Sequence, residues 1–133
     1  MKVLLVSINA KYIHTNNAVR LLKVNSPFDP EIFEYTIKDD INQIIEDIED
    51  FNPDVLGLSV YIWNVSIFIK IMKRLSLNDL KIILGGPEVS YDPDYFLKNT
   101  KADFIIKGEG EVVFNSLLNA LEKGYLIFPL LSV

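Results

Sequence analysis

Five times along this chain a short strand-like run gives way to a helical or polar segment, and that alternation constrains the fold more than any other feature. The runs are Val3–Val6, Glu31–Lys38, Asp54–Val60, Lys81–Leu84 and Asp103–Lys107. Four are nearly continuous apolar stretches of the kind buried on both faces of a parallel sheet. The second alternates Ile32, Phe33, Tyr35 and Ile37 with polar residues, which places it nearer an edge. Between the second and third runs, Ile41, Ile44, Ile45, Ile48 and Phe51 recur at helical spacing, with acidic residues opposite. Asp40 and Gln43 have capping-box spacing, and Pro53 stops the helix. Asn64 stands where it would cap a helix bearing Phe68, Ile71, Met72 and Leu75, Asp92-Pro93 opens a short helix, and Glu111–Lys123 forms the last one, ended by Gly124. Thr15 or Asn16 caps a short helix after the first strand.

Strands alternating with helices predict an α/β fold: a doubly wound, five-stranded parallel sheet with helices on both faces. Right-handed crossovers favour the Rossmann-like, flavodoxin-like order 2-1-3-4-5. Ligands of such sheets bind beyond the carboxyl ends of the strands, at the switch point between the first and third. The loops there hold most of the unusual residues: Ser7–Thr15, Ser59–Asn64, Gly85–Asp92 and Gly108–Glu111. Gly85-Gly86-Pro87 lets the chain turn sharply and leaves backbone that a ligand can approach closely. Residues 1–124 are expected to form one domain, with 125–133 an apolar tail or the start of a linker.

Net charge is −5 with the basic residues scattered, which offers no electrostatic footprint for nucleic acid. No apolar segment approaches the ~20 residues that span a bilayer, and a cytoplasmic location is expected. The absence of cysteine excludes disulfides and any iron–sulfur cluster held by this chain. Three familiar folds of this shape fail at the first loop. Ser7-Ile8-Asn9 lacks the acidic residues of a receiver domain, and Ala10-Lys11-Tyr12-Ile13 is neither a flavodoxin phosphate loop nor a nicotinamide-type glycine loop.

Four segments together, Asn9-Ala10-Lys11-Tyr12-Ile13-His14-Thr15, Leu58-Ser59-Val60-Tyr61-Ile62-Trp63-Asn64, Leu84-Gly85-Gly86-Pro87-Glu88-Val89-Ser90 and Gly108-Glu109-Gly110-Glu111, resemble the N-terminal cobalamin (B12)-binding domain of B12-dependent radical SAM proteins. That family includes methyltransferases and the anaerobic magnesium-protoporphyrin monomethyl ester cyclase, and the resemblance spans about residues 1–122. It implies a module that holds cobalamin for methyl transfer or radical chemistry carried out with a catalytic domain of the same parent chain. S-adenosylmethionine and a 4Fe–4S cluster would belong to that other domain, because the Cys-x-x-x-Cys-x-x-Cys motif is missing here. It further implies that Ser59 contacts the nucleotide tail and that Gly85 and Gly86 form its slot, so that a valine at Gly86 would fill the slot with the fold intact. Asn9, Tyr12, His14, Thr15, Tyr61, Trp63, Asn64, Pro87, Glu88, Gly108, Glu109, Gly110 and Glu111 complete the expected cofactor-binding set.

The chain lacks the Asp-x-His-x-x-Gly motif whose histidine binds cobalt in older cobalamin enzymes. His14, its only histidine, is therefore expected to order the loop or touch the corrin, and no metal ligand or catalytic residue is assigned. Two other readings stand beside this one. A small hydrolase or transferase would need an acid–base pair that the loops, with His14 and scattered carboxylates, do not supply. A ligand-free interaction domain would keep the fold and bind nothing.

Overall fold

The computed structural model describes residues 1–10, 17–108, 110–125 and 128–132. The elements run β1 (Val3–Asn9), α1 (Asn17–Asn25), β2 (Glu31–Thr36), α2 (Ile41–Phe51), β3 (Val55–Ser59), α3 (Val65–Arg74), β4 (Lys81–Gly85), α4 (Pro87–Tyr91), α5 (Pro93–Asn99), β5 (Phe104–Lys107), α6 (Glu111–Lys123) and β6 (Leu130–Ser132). They build one parallel sheet in the order β2-β1-β3-β4-β5-β6. The order of the first five strands is the one expected, with β2 at an edge and only partly buried.

The strand count is six rather than five. Within the segment expected to be an apolar tail, Leu130 and Leu131 pair with Ile105 and Ile106, and Pro129 O accepts from Ile105 N at 2.7 Å. The sequence offered little to mark β6: three residues behind a proline cannot show an alternation.

Successive residues of each strand feed two cores. On one face Leu4, Val6, Ile8, Leu56 and Leu58 pack with Ile44 and Ile48 of α2, Phe68 and Met72 of α3, Val89 and Phe96. On the other, Val3, Leu5, Val55, Ile83 and Ile106 meet Val19 of α1 and Phe114, Leu117 and Leu118 of α6. The first core is covered by four helices, α2, α3, α4 and α5; among the described residues the helices over the second are α1 and α6.

Caps explain several boundaries. Asp40 accepts from Asn42 N at the start of α2, but Gln43 bonds to Asp47 instead of closing the capping box. Asp92 accepts from Tyr95 N ahead of Pro93, and Gly124 takes the left-handed conformation that ends α6. Pro87 opens α4, a five-residue helix too short to leave a periodic signal.

Across β2 and α2, the Tyr35 hydroxyl donates to Asp47 Oδ2 at 2.8 Å. Burial, then the bond to Asp47 and the charges of Asp47 and Asp39, hold the phenol well above its usual pKa. The folded state thus keeps its proton longer than the unfolded chain. This contribution is complete below about pH 10 and is lost as the pH rises beyond it. Tyr35→Phe is expected to flatten the alkaline fall in stability, read as melting temperature against pH.

Candidate functional site

On the α1/α6 face, the sheet surface carries a slot where a glycine stands in each of two neighbouring rows. One row crosses four strands as Leu5, Gly57, Ile83 and Phe104; two residues towards the carboxyl edge, Ser59 pairs with Gly85. Gly57 removes a side chain from the middle of the inner row. An added Cβ there would lie 2.7 Å from Leu5 Cδ2 and 3.8 Å from Phe114 Cε1, so these two side chains close the floor. Gly85 leaves the outer row open, and a Cβ on it would meet nothing closer than Ile106 O at 4.0 Å.

The resulting cavity measures about 640 Å³, within the range of small-molecule sites. Ala18, Val19, Leu21 and Leu22 of α1 form one wall and Phe114 of α6 another, while Gly86, Pro87, Gly108, Gly110 and Glu111 surround the mouth. Its lining is mostly apolar, with Ser59, Tyr61, Ser90 and Glu111 the side chains that bring polar groups to it. Among the described residues no hydrogen bond engages the Ser59 hydroxyl, which lines the cavity and is nearly buried. Next to it on β1, Ser7 Oγ is fully buried and also unpartnered among the described residues.

Of the residues expected from sequence, Ser59, Tyr61, Gly85, Gly86, Pro87, Gly108, Gly110 and Glu111 come together around this cavity. Asn9, Trp63, Asn64 and Glu88 are not among its lining residues. Tyr12, His14, Thr15 and Glu109 lie outside the described residues, as does the expected cap at Thr15 or Asn16. Sequence reasoning did not assign Gly57, Leu5, Ile83, Ile106, Phe114 or the apolar side of α1 to the site. A glycine inside a buried strand was the available signal, since it marks a close approach as well as a weak point.

Gly86 requires a correction. Its φ is +104°, and a Cβ on it would run into the Val60 carbonyl and lie 2.8 Å from Val60 N. Val60 in turn donates to Gly85 O at 2.7 Å and accepts from Glu88 N at 3.4 Å. The empty space beside Gly86 is thus taken by the backbone leaving β3. Valine there would break the fold before it filled any slot, and Gly85 is the residue whose missing side chain faces the cavity.

Asn64 is the second correction. It sits at the N-terminus of α3, but its side chain makes no capping hydrogen bond. Fully buried, it donates through Nδ2 to Ile8 O at 3.0 Å and Ser59 O at 3.2 Å, and accepts from Tyr61 N at 2.8 Å. One amide thereby ties the ends of β1 and β3 to the loop that follows. Trp63 Nε1 donates to the same Ile8 O at 3.0 Å, and its ring stacks on Tyr61 at 4.5 Å with 6° between planes. The pair forms a rigid aromatic step beside the cavity mouth, with Ile62 exposed on the same turn. Asn64→Ala would remove three hydrogen bonds, two of them buried, leaving Ile8 O with Trp63 Nε1, and about 2–3 kcal/mol of stability is expected to be lost. Urea unfolding checks this.

The family model for the B12 binding domain matches residues 4–118. An uncharacterized methyltransferase of Pyrococcus horikoshii is 30% identical over 87 residues, 62% of this chain and 19% of that protein. The cobalamin-dependent radical SAM methyltransferase TokK of Streptomyces tokunonensis is 39% identical over 69 residues, 50% of this chain and 10% of that protein. Among solved structures, the cobalamin-dependent S-adenosylmethionine radical enzyme OxsB with aqua-cobalamin bound aligns at TM-score 0.74 and 21% identity, over 95% of this chain and 19% of that one. The radical S-adenosylmethionine methyltransferase TsrM of Kitasatospora setae, with cobalamin and a 4Fe–4S cluster bound, aligns at 0.73 and 21% identity, over 95% and 26%. The chain thus spans at most a fifth of the curated relatives named here.

Proposed function

The chain belongs to the B12-binding domain family, and from that premise we propose that it carries cobalamin for a radical SAM partner domain of the methyltransferase type. The nucleotide tail would enter the slot under α1 and α6, and the corrin ring would rest across the carboxyl edge of the sheet. The observation that carries this reading is the missing side chain at Gly85, which leaves an open slot directly beside Ser59, with Leu5 packed over Gly57 in its floor.

The residues present fit the group. An aromatic base at the end of the tail suits the floor of Leu5, Ile83 and Phe114. The Ser59 hydroxyl is placed to donate to a ring nitrogen. The backbone N–H of Gly110 and the Glu111 carboxylate, both in the cavity lining, suit the mixed donors and acceptors of the tail and amide arms. Tyr61 and Trp63 offer an apolar step for the rim of the ring. When bound, cobalamin supplies a cobalt centre that can carry a methyl group or exchange electrons. The chain's own part is to hold the tail, orient the ring and keep water from the covered side.

Trp63 is the only tryptophan, and it is stacked on Tyr61, which lines the cavity. Titration with hydroxocobalamin is expected to quench its fluorescence saturably, with a matching amount of cofactor retained on gel filtration. Unchanged fluorescence and no retention by the folded chain would favour the ligand-free interaction domain.

A further inference from the structure

We infer that the slot sorts cobalamin-type cofactors by the base that ends their tail, accepting a benzimidazole and disfavouring a purine; this rests on the cofactor reading above. The floor is built from Leu5, Gly57, Ile83 and Phe114, whose side chains carry no hydrogen-bonding group. The strand backbone at this level is committed to the ladder that joins Leu5, Gly57 and Ile83.

Among the described lining residues Ser59, Ser90 and Tyr61 each carry a hydroxyl, Tyr61 in the loop after β3 with its ring stacked on Trp63. That of Ser90 is already engaged, donating to Gly86 O at 3.0 Å and accepting from Gly108 N at 3.2 Å. Among the described lining residues Ser59 therefore supplies the only hydroxyl carried by a strand of the sheet, and it is uncommitted. Ser7 Oγ beside it is fully buried and is not among the lining residues, so the sheet surface of the slot answers one ring nitrogen and little else.

A benzimidazole joined to its ribose through one nitrogen presents a single in-plane nitrogen and a hydrocarbon rim. Its needs match that inventory. Adenine presents an exocyclic amine and further ring nitrogens, each hydrogen-bonded in water. Inside the slot most of them would find no partner, and a buried polar group without one opposes binding. A hydroxyl lost from Ser59 should matter to the benzimidazole tail and not to a phenolic one, which has no ring nitrogen to receive it.

The test is equilibrium dialysis of the 133-residue chain with cobamides that share one corrin and differ in the tail: 5,6-dimethylbenzimidazolyl, adeninyl and p-cresolyl forms, with tailless cobinamide as the baseline. The benzimidazolyl form is expected to bind at least tenfold tighter than the adeninyl form, about 1.4 kcal/mol. Adenine is the weaker cobalt ligand and leaves the metal more readily, so the measured ratio understates the preference. Ser59→Ala is expected to weaken the benzimidazolyl form about tenfold and leave p-cresolyl binding unchanged, which also reports that the variant folds. Equal or tighter binding of the adeninyl form would overturn the selectivity and leave the cofactor reading intact. Tailed forms binding no better than cobinamide would overturn the slot as the tail site. Retention of none of the four would overturn the cofactor reading itself.

Discussion

Replacing Gly85 with leucine is expected to cost the chain at least a hundredfold in cobalamin affinity, about 2.7 kcal/mol, while leaving its fold unharmed. Gly85 ends β4 and pairs with Ser59, and its missing side chain faces the cavity. A Cβ fits there, with its nearest neighbour, Ile106 O, at 4.0 Å. Leucine would extend from that point into space that the tail needs, beside Ile83 and Ile106. Because it buries apolar surface in an apolar cavity, the melting temperature should hold or rise slightly. The checks are dialysis against hydroxocobalamin and a thermal melt on the same sample. Undiminished binding would place the tail elsewhere.

One residue further, the expected result reverses. Gly86→Val should cost about 3 kcal/mol or more of stability, because two penalties coincide. The positive φ of Gly86 is strained for any residue with a Cβ, and the new atoms would collide with the Val60 backbone instead of a side chain that can move. Binding by this variant would fall only because less of it is folded. Urea unfolding, followed by far-UV circular dichroism, separates the cases. Wild-type stability in Gly86→Val would mean that the contact between Val60 and Gly86 is not what requires glycine.

These neighbouring glycines show where the sequence was informative. Gly85-Gly86 announced a place where backbone must come close to something, and the carboxyl edge of the sheet followed from strand–helix alternation. A glycine does not say whether its missing side chain makes room for a ligand or for another strand. That depends on where Val60 passes, a contact across 26 positions that no local pattern encodes. The amphipathic stripe Ile41–Phe51 gave its helix outright, because burial on one face imposes a period.

Asn64 misled for a related reason. Asparagine before an apolar run is a common cap, but here its amide serves Ile8, Ser59 and Tyr61. Which role a polar residue takes depends on what tertiary structure brings within reach. Gly57 was visible inside an apolar strand, yet its meaning required Phe114 of α6 opposite it.

In the proposed complex the tail would leave cobalt and occupy the slot under α1 and α6. Electron paramagnetic resonance of the bound cob(II)alamin tests it most directly, with His14→Ala measured beside the wild type. A spectrum without nitrogen splitting is expected in both, because neither the benzimidazole nor a protein imidazole would lie on the metal. Splitting that appears in the wild type and survives in His14→Ala would show the benzimidazole still on cobalt, and would contradict the account.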